Sequence, residues 1–269
     1  MAMLALALVT SAVGAFGGLG GAIILVPALV LAGMPAAHAA PLGLLSVASG
    51  SLAAGPRQLA ERTVHHRLGV TTEMAGSAGA VAGALLSGAV SETFLTRFLA
   101  VVALAAAAAS GLRRDIAGQL VERPPDIDLG EAPGSLAGTY PVPEGATPYA
   151  ATRLPAGLAV MSTAGVVAGV AGASGGFIKT PATTEIMGVP VKVAASTTTF
   201  TVGITSAAAL IVFAIHGRIN LDDAAPVVVG SLAGGQLGAR LQARFSPQAV
   251  RTALAVVLVI VAGVLVARS

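Results

Sequence analysis

Ten apolar segments run along the chain, separated by short polar, glycine-rich or proline-containing breaks. Most of them have about the length, near 20 residues, that an α-helix needs to cross the roughly 30 Å hydrocarbon core of a bilayer. The pattern therefore predicts an all-α integral membrane protein. The segments cover residues 2–16, 22–33, 39–56, 70–90, 94–111, 154–171, 176–188, 193–215, 222–239 and 248–267.

A polar region separates the first five apolar segments from the last five. It is rich in Pro, Gly, Asp and Glu, which is typical of a solvated linker. We therefore predict a first membrane repeat at 1–111, the linker at 112–152 and a second membrane repeat at 153–269. The repeats share short motifs at matching places, pairing 66–70 with 217–221, 76–77 with 230–231, and 91–92 with 246–247.

A glycine-rich break followed by a proline lies inside an apolar stretch of each repeat. The first copy runs from Gly14 to Pro27 and the second from Ala168 to Pro181. A Gly-x-Pro sequence follows each copy, at 33–35 and at 188–190. A duplicated, glycine-broken apolar segment is the best sequence pointer to the binding site of a transporter.

The two short segments around the first break allow two topologies. At 1.5 Å per residue, 2–16 and 22–33 reach only about 22 and 18 Å, too little to span separately. If residues 2–32 form one kinked span, the protein has eight spans and two parallel halves of four. If each break is instead the tip of a re-entrant helical hairpin, each half has a hairpin plus three spans, and the second half is inverted.

The distribution of basic residues favours the hairpin topology. The eight-span arrangement places nine basic residues inside and five outside, whereas the hairpin arrangement places eleven on one side and three on the other. Since Lys and Arg concentrate in cytoplasmic loops, the more asymmetric arrangement is preferred. We therefore expect inverted repeats, a cytoplasmic linker and both termini outside.

The composition agrees with a membrane protein and excludes several functions. The 269-residue chain is 55% hydrophobic and 10% charged, against about 25% charged in soluble domains. With so much of the chain in lipid, the net charge of +3 does not indicate nucleic acid as a partner, and the absence of cysteine excludes disulfides. HExxH, P-loop and GxSxG signatures are missing, so we expect no enzyme, no cofactor and no metal. The apolar N-terminus lacks a basic n-region, so we expect it to be structural rather than a cleaved signal peptide.

The glycine breaks have the chemistry of an anion site. A helix that begins inside the membrane leaves N–H groups without intrahelical partners, and these favour an anionic ligand. The alternative is helix packing, because the spacing Gly17-x-x-x-Gly21 is itself a small-residue packing motif and the two prolines can simply kink a helix. The predicted substrate contacts at the breaks are Gly17, Gly18, Gly20, Gly21, Gly172, Ser174, Gly175 and Gly176.

Polar residues inside the apolar segments are further candidates. Lys179, one turn after the second break, can give an anion a full positive charge, or it can have a structural role such as pairing with an acceptor. Hydroxyls of Ser46, Thr197 and Thr198 can line a polar pathway, or they can bond their own helix or glue helices together. Glu185 and His38, close to the Gly-x-Pro sequences, are weaker candidates for coupling to protons, with an interfacial position as the alternative.

These motifs, in this order, resemble the TauE/SafE family of sulfite and organosulfonate exporters. The resemblance rests on the glycine run 17–21 with Pro27 and 33–35, its second copy from Gly172 to Pro181 with 188–197, and the basic turns 65–70 and 216–221. Ala173-Ser174 and Lys179-Thr180 depart from the family pattern, in which more Gly and then Val before the Pro are common. The resemblance implies a multi-pass transporter in the plasma (inner) membrane that moves small sulfur-containing anions such as sulfite or sulfoacetate. We expect alternating access, with an anion channel and a carboxylate transporter as alternatives, and with the coupling ion and oligomeric state open.

Overall fold

A computed structural model describes residues 1–17, 21–60, 62–112, 130–142, 145–241 and 247–268. These residues form α-helices, one π-helical turn and three short β-strands. The helices are α1 (Ala2–Gly17), α2 (Ala22–Leu31), α3 (Ala36–Ala60), α4 (His66–Ser87), α5 (Glu92–Leu112), α6 (Leu154–Ala171), α7 (Gly176–Pro181), α8 (Val191–Ile215), α9 (Leu221–Leu241) and α10 (Pro247–Arg268). The π-helical turn, Ala182–Ile186, continues α7, and the strands are β1 (Gly130–Glu131), β2 (Ala137–Val142) and β3 (Gly145–Ala150).

The helices match the ten apolar segments predicted from the sequence, and their ends differ by only a few residues. Within the described ranges, four helical stretches are long and apolar enough to cross a membrane: Ala36–Pro56, Glu92–Ala109, Leu154–Ala171 and Val191–Ile215. Helices α4 and α9 have similar lengths, 22 and 21 residues, but contain more glycine. The prediction of an all-α membrane protein is therefore confirmed.

Two side chains, one from α5 and one from the residue just before α4, cap the starts of two long helices. The carboxylate of Glu92 accepts the backbone N–H groups of Ala36 and Ala37 at the start of α3. Nδ1 of His65 accepts the N–H of Leu68, at 3.2 Å, at the start of α4. Because the first N–H groups of a helix have no intrahelical partners, these contacts fix where the two helices begin.

Glycines allow two pairs of helices to pack with their backbones in contact. A Cβ atom on Gly79 of α4 would lie 2.0 Å from the carbonyl oxygen of Ser162 on α6, and one on Gly165 would lie 2.0 Å from that of Gly76. The pair α1 and α9 packs in the same way, because a Cβ atom on Gly234 would lie 2.2 Å from the carbonyl oxygen of Leu8. Small-residue packing of this kind is typical of membrane helices.

The chain reverses direction at both glycine breaks. A Cβ atom on Gly175 would lie 2.9 Å from the carbonyl oxygen of Ala164, and one on Gly21 would lie 2.5 Å from Cα of Ser11. In a continuous helix, residues ten or eleven positions apart are separated by about 15 Å. Helices α1 and α2 therefore form one helical hairpin, and α6 and α7 form another.

One end of the molecule, which we call the sheet end, gathers the end of α3 and the starts of α4, α6 and α8. The backbone N–H of His65, just before α4, donates to Oγ1 of Thr197 on α8 at 2.9 Å. The N–H of Thr152, just before α6, donates to the carbonyl of Met187 at 2.9 Å. The second hairpin therefore starts and finishes at the sheet end.

The opposite end, which we call the Arg218 end, gathers the starts of α3, α5 and α9. Arg218 follows α8 and donates to Oγ of Ser87 (2.9 Å), at the end of α4, and to the carbonyl of Ala37 (3.1 Å), at the start of α3. Its guanidinium lies over the ring of Phe213, 4.6 Å from the centroid. Helix α3 therefore runs opposite to α8, and α4 runs opposite to α9.

The three strands form an antiparallel sheet in the order β1-β2-β3, inside the region predicted as a linker. Leu136, Tyr140 and Tyr149 from this sheet pack on an apolar cluster that includes Leu68 and Met187. The linker prediction did not include this sheet, because its short strands contain the Gly and Pro residues that suggested irregular structure. Residues 113–129 and 143–144 of the linker lie outside the described residues.

Candidate functional site

An ion pair lies buried between the two halves of the chain. Nζ of Lys179, on α7, is 2.8 Å from Oε2 of Glu73 on α4. Lys179 is 1% exposed and Glu73 is 4% exposed. Ionisable side chains inside a membrane protein are rare and usually mark a substrate or ion pathway. We therefore take this pair as the centre of the candidate site.

Hydroxyl groups complete the surroundings of the ion pair. Lys179 donates to Oγ1 of Thr205, on α8, at 2.5 Å, and the Thr205 hydroxyl donates to Oε1 of Glu73. Ser77, one turn after Glu73 on α4, donates to the same carboxylate oxygen at 3.3 Å. The carboxylate is thus bound by one ammonium and two hydroxyls, which offsets much of the cost of burying it.

Backbone geometry brings Lys179 to this position. Lys179 lies one turn after Gly175, whose carbonyl accepts its backbone N–H at 2.9 Å. On the facing helix, a Cβ atom on Gly76 would lie 3.0 Å from Nζ of Lys179, so a glycine there leaves room for the ammonium. The glycine break therefore positions the backbone of Lys179, and the glycine on α4 leaves space for its ammonium group.

The second glycine break packs tightly on the first half of the chain. Gly172 has a positive φ of 65°, which ends α6 in a left-handed conformation that glycine adopts without strain. A Cβ atom on Gly172 would lie 2.2 Å from Cα of Ala40, and one on Gly43 would lie 2.2 Å from the carbonyl oxygen of Gly172. Close packing on α3 thus holds this break in place.

Ser174, Gly176 and Thr198 come together beside the second break. Oγ of Ser174 accepts the backbone N–H of Gly176 at 3.2 Å, and both residues are buried. A Cβ atom on Gly176 would lie 3.5 Å from Cγ2 of Thr198, so this threonine of α8 faces the start of α7. The structure therefore gathers Ser174, Gly175, Gly176, Lys179 and Thr198 around one helix start.

Two of the predicted hydroxyls have partners elsewhere. Thr197 accepts the backbone N–H of His65 at the sheet end. Ser46 belongs to a buried hydroxyl cluster, in which its Oγ is 3.2 Å from Oγ of Ser11 and 2.8 Å from Oγ of Ser231. Both therefore have structural hydrogen bonds of the kind that the sequence left open as an alternative.

The first glycine break is only partly described. Gly17 ends α1 and Gly21 precedes α2, where it is buried against Ser11. Gly18 and Gly20 lie outside the described residues. Their predicted role in substrate binding therefore stays a prediction.

The two residues predicted for proton coupling lie at the surface. His38 is exposed near the start of α3, and Glu185 is exposed in the π-helical turn. Glu73 is the acidic residue that the structure places beside Lys179, and the sequence argument missed it. Its signal was present, because Glu73 is a carboxylate inside the apolar segment 70–90.

A second charged group caps the sheet end. Glu131, on β1, accepts the backbone N–H of Arg67 at 3.2 Å and lies 3.1 Å from Nδ1 of His65. Nε2 of His65 faces the carbonyl of Ala137 at 3.1 Å, so a neutral ring with its proton on Nε2 satisfies both nitrogens. Burial lowers the pKa of His65, and the nearby Glu131 only partly opposes this.

The apolar helices, the two hairpins and the buried charge pair together define a membrane transporter. The family model of the sulfite exporter TauE/SafE matches residues 3–265, so the chain belongs to this family, as its motifs indicated. Members of this family transport sulfur-containing anions and are not enzymes. No curated protein and no solved structure matches the chain significantly.

Proposed function

We propose that the protein is a secondary transporter of small sulfur-containing anions, such as sulfite, sulfoacetate or other organosulfonates, in the plasma (inner) membrane. The observation that carries this proposal is the buried ammonium of Lys179 beside a glycine break. A fixed cation inside a membrane protein attracts an anion strongly, because the low dielectric of its surroundings weakens screening. Membership in the TauE/SafE family supports the choice of sulfur-containing anions.

The two halves are proposed to be inverted repeats. If α3 corresponds to α8 and α4 to α9, as the shared motifs indicate, corresponding helices run in opposite directions between the sheet end and the Arg218 end. The helix packing also follows this correspondence, in which α1 matches α6. Helix α4 of the first half packs on α6 of the second through glycines, and α9 of the second half packs on α1 of the first in the same way. Both features support two hairpins that enter the membrane from opposite sides.

In the proposed site, the anion lies next to Lys179 at the second break. The Ser174 and Thr198 hydroxyls and the backbone at Gly172, Gly175 and Gly176 would orient it, with Thr197 just before Thr198 on α8. The first break, with Gly17, Gly18, Gly20, Gly21 and Ser46, would form the facing wall.

Transport by alternating access would follow from the closed state of the site. Lys179 and Glu73 are almost fully buried, so an anion reaches them only when helices move. The second hairpin supplies Lys179, whereas α4 in the other half supplies Glu73. Movement of one half against the other would therefore open the site to one side of the membrane at a time.

Transport by the purified protein in liposomes tests the proposal. We expect saturable counterflow of sulfite and organosulfonates, and thermal stabilisation by the same anions, because a ligand that binds the folded state stabilises it by mass action. The panel includes sulfite, thiosulfate, sulfoacetate, taurine, sulfate and acetate. Flux without saturation or counterflow indicates a channel, and a response to acetate alone indicates a carboxylate transporter.

A matched pair of variants tests the site. The double variant Glu73→Gln/Lys179→Gln removes both charges without leaving either one unpaired, and we expect it to fold and to lose sulfite counterflow. Lys192→Gln removes an exposed cation at the start of α8 and is expected to transport like the wild type. If the double variant kept wild-type counterflow, the site assignment would be wrong.

A further inference from the structure

The ion pair leaves Lys179 unable to bind an anion as it stands. Its ammonium is 2.8 Å from Oε2 of Glu73, so the carboxylate occupies the place that an anion would take. An anion brought next to the pair would also meet the negative charge of Glu73. Because like charges at such distances repel strongly in a low dielectric, substrate binding requires that Glu73 lose its charge.

We propose that Glu73 is the proton-binding residue that couples anion transport to protons. This inference rests on the proposed function and names the coupling step of the same site. A proton from water adds to Oε1 of Glu73, so the carboxylate loses its charge. The hydrogen bond from Lys179 to Oε2 then breaks, and the ammonium keeps its charge. The anion then takes the place of the carboxylate beside Lys179.

The charges of the cluster balance in both states. Without substrate, the carboxylate and the ammonium sum to zero. With a proton on Glu73 and a monovalent anion on Lys179, the sum is again zero. A proton alone or an anion alone leaves a net buried charge, which is costly inside a membrane protein. The protein can therefore change between its inward-open and outward-open states only when the site is empty or when it holds both a proton and an anion. One proton then crosses the membrane with each monovalent anion, in the same direction.

Thr205 can serve both protonation states of Glu73. Its hydroxyl donates to the ionised carboxylate in the structure, and the carbonyl of Thr201 lies 3.4 Å from the same hydroxyl oxygen. When Glu73 is protonated, the Thr205 hydroxyl can turn to that carbonyl and accept the new proton's hydrogen bond. A hydroxyl rotates at little cost, so the hydrogen bonds need not be lost.

Among the residues that the structure describes, the elements packed around Glu73 place no other titratable group beside it except Lys179. Helix α6, residues 154–171, contains no Asp, Glu, His, Lys or Arg. On α8, Lys192 is exposed and lies 13 residues before Thr205, about 20 Å along the helix. Glu185 follows Lys179 but is exposed. On α4 itself, His66 and Arg67 lie at the sheet end, more than one helical turn away, with Glu131 and His65.

The other half of the chain supports a single coupling site. When Pro27 is aligned with Pro181, Leu25 corresponds to Lys179. When Gly76 is aligned with Gly230, Glu73 corresponds to Val227. Leu25 and Val227 are both fully buried and belong to one apolar cluster. The charges are thus present together in one half and absent together in the other, as expected if they work as a unit.

Liposomes with an internal pH one unit above the external pH test the coupling. Sulfite serves as a probe of exchange and methanesulfonate, which stays monovalent near neutral pH, as a probe of exchange and accumulation. We expect wild-type protein to accumulate methanesulfonate about tenfold, the limit for one proton per anion. Glu73→Gln mimics the protonated residue and should still carry anions but lose their accumulation, so that the ratio of internal to external anion stays near one. Glu73→Asp keeps a carboxylate and should accumulate them, as should the exposed control Glu185→Gln.

The outcomes separate the coupling from the proposed function. If wild-type protein exchanges neither probe, the transport function fails, and the coupling fails with it. If Glu73→Gln still accumulates anions as wild type does, or is folded and unable to exchange them, only the coupling is overturned. If that variant does not fold, proton uptake by liposomes containing the wild-type protein is measured during methanesulfonate transport. Methanesulfonate carries no proton of its own near neutral pH, so any proton that enters with it is moved by the protein. One proton entering with each methanesulfonate supports the coupling, and no proton overturns it.

Discussion

Removal of Lys179 alone should destabilise the protein strongly. The variant Lys179→Leu leaves the Glu73 carboxylate 4% exposed with only hydroxyl partners. Breaking a buried pair on one side typically costs about 3–5 kcal/mol.

Two features of the structure set the expected magnitude. Lys179 is 1% exposed and Glu73 is 4% exposed, so water does not replace the lost ammonium. The hydroxyls of Thr205 and Ser77 still donate to the carboxylate and offset part of the cost. We therefore expect Lys179→Leu to lower the free energy of unfolding by about 3–4 kcal/mol at pH 7.

The free energy of unfolding in detergent micelles, measured between pH 5 and pH 7.5, checks this prediction. Lys192→Leu is the matched control, because it removes an exposed lysine and should change stability little at any pH. A penalty below about 1 kcal/mol at pH 7 would contradict a buried ion pair between Glu73 and Lys179.

Two further predictions concern the sheet end and the helix packing. Because burial lowers the pKa of His65, the folded state favours the neutral ring, so stability should be constant above pH 6.5 and fall as the pH drops from 6.5 towards the lowered pKa. Thermal unfolding at pH 5 to 7.5 should show this slope in the wild type and a weaker one in His65→Gln, and equal slopes would contradict it. Gly165→Leu should cost about 3 kcal/mol or more of unfolding free energy, since its Cβ would lie 2.0 Å from the carbonyl oxygen of Gly76. Gly263→Leu, at an exposed position with nothing within 4 Å, should cost far less, and similar losses would contradict the packing.

The helices could be predicted from the sequence because the signal is local. Bilayer thickness sets the length of an apolar helix, and each of the ten predicted segments became a helix with similar bounds. The glycine breaks were also located correctly, because Gly and Pro interrupt helices through their own backbone properties. Their hairpin geometry needed the basic-residue count in addition, since local propensity does not distinguish a kink from a reversal.

The partner of Lys179 could not be derived in the same way. Glu73 is 106 residues away in sequence, and the pair forms only because α4 of one half packs beside the second hairpin. A search for charges in apolar segments would have found both residues, but not their distance. The sheet at 130–150 escaped prediction for a related reason, since its burial depends on an apolar cluster provided by α4 and α8.

The apolar residues of the first half offer a decisive comparison for the buried pair. Replacing a buried ion pair by apolar residues of similar volume is often neutral or stabilising by about 1–4 kcal/mol, so stability alone does not explain why the pair is present. The double variant Glu73→Val/Lys179→Leu copies the residues found at Val227 and Leu25. We expect it to be at least as stable as the wild type, with a pH dependence no steeper, and to have lost anion counterflow. If the double variant is several kcal/mol less stable than the wild type, the pair has a structural role. If it transports anions like the wild type, Lys179 is not part of the binding site.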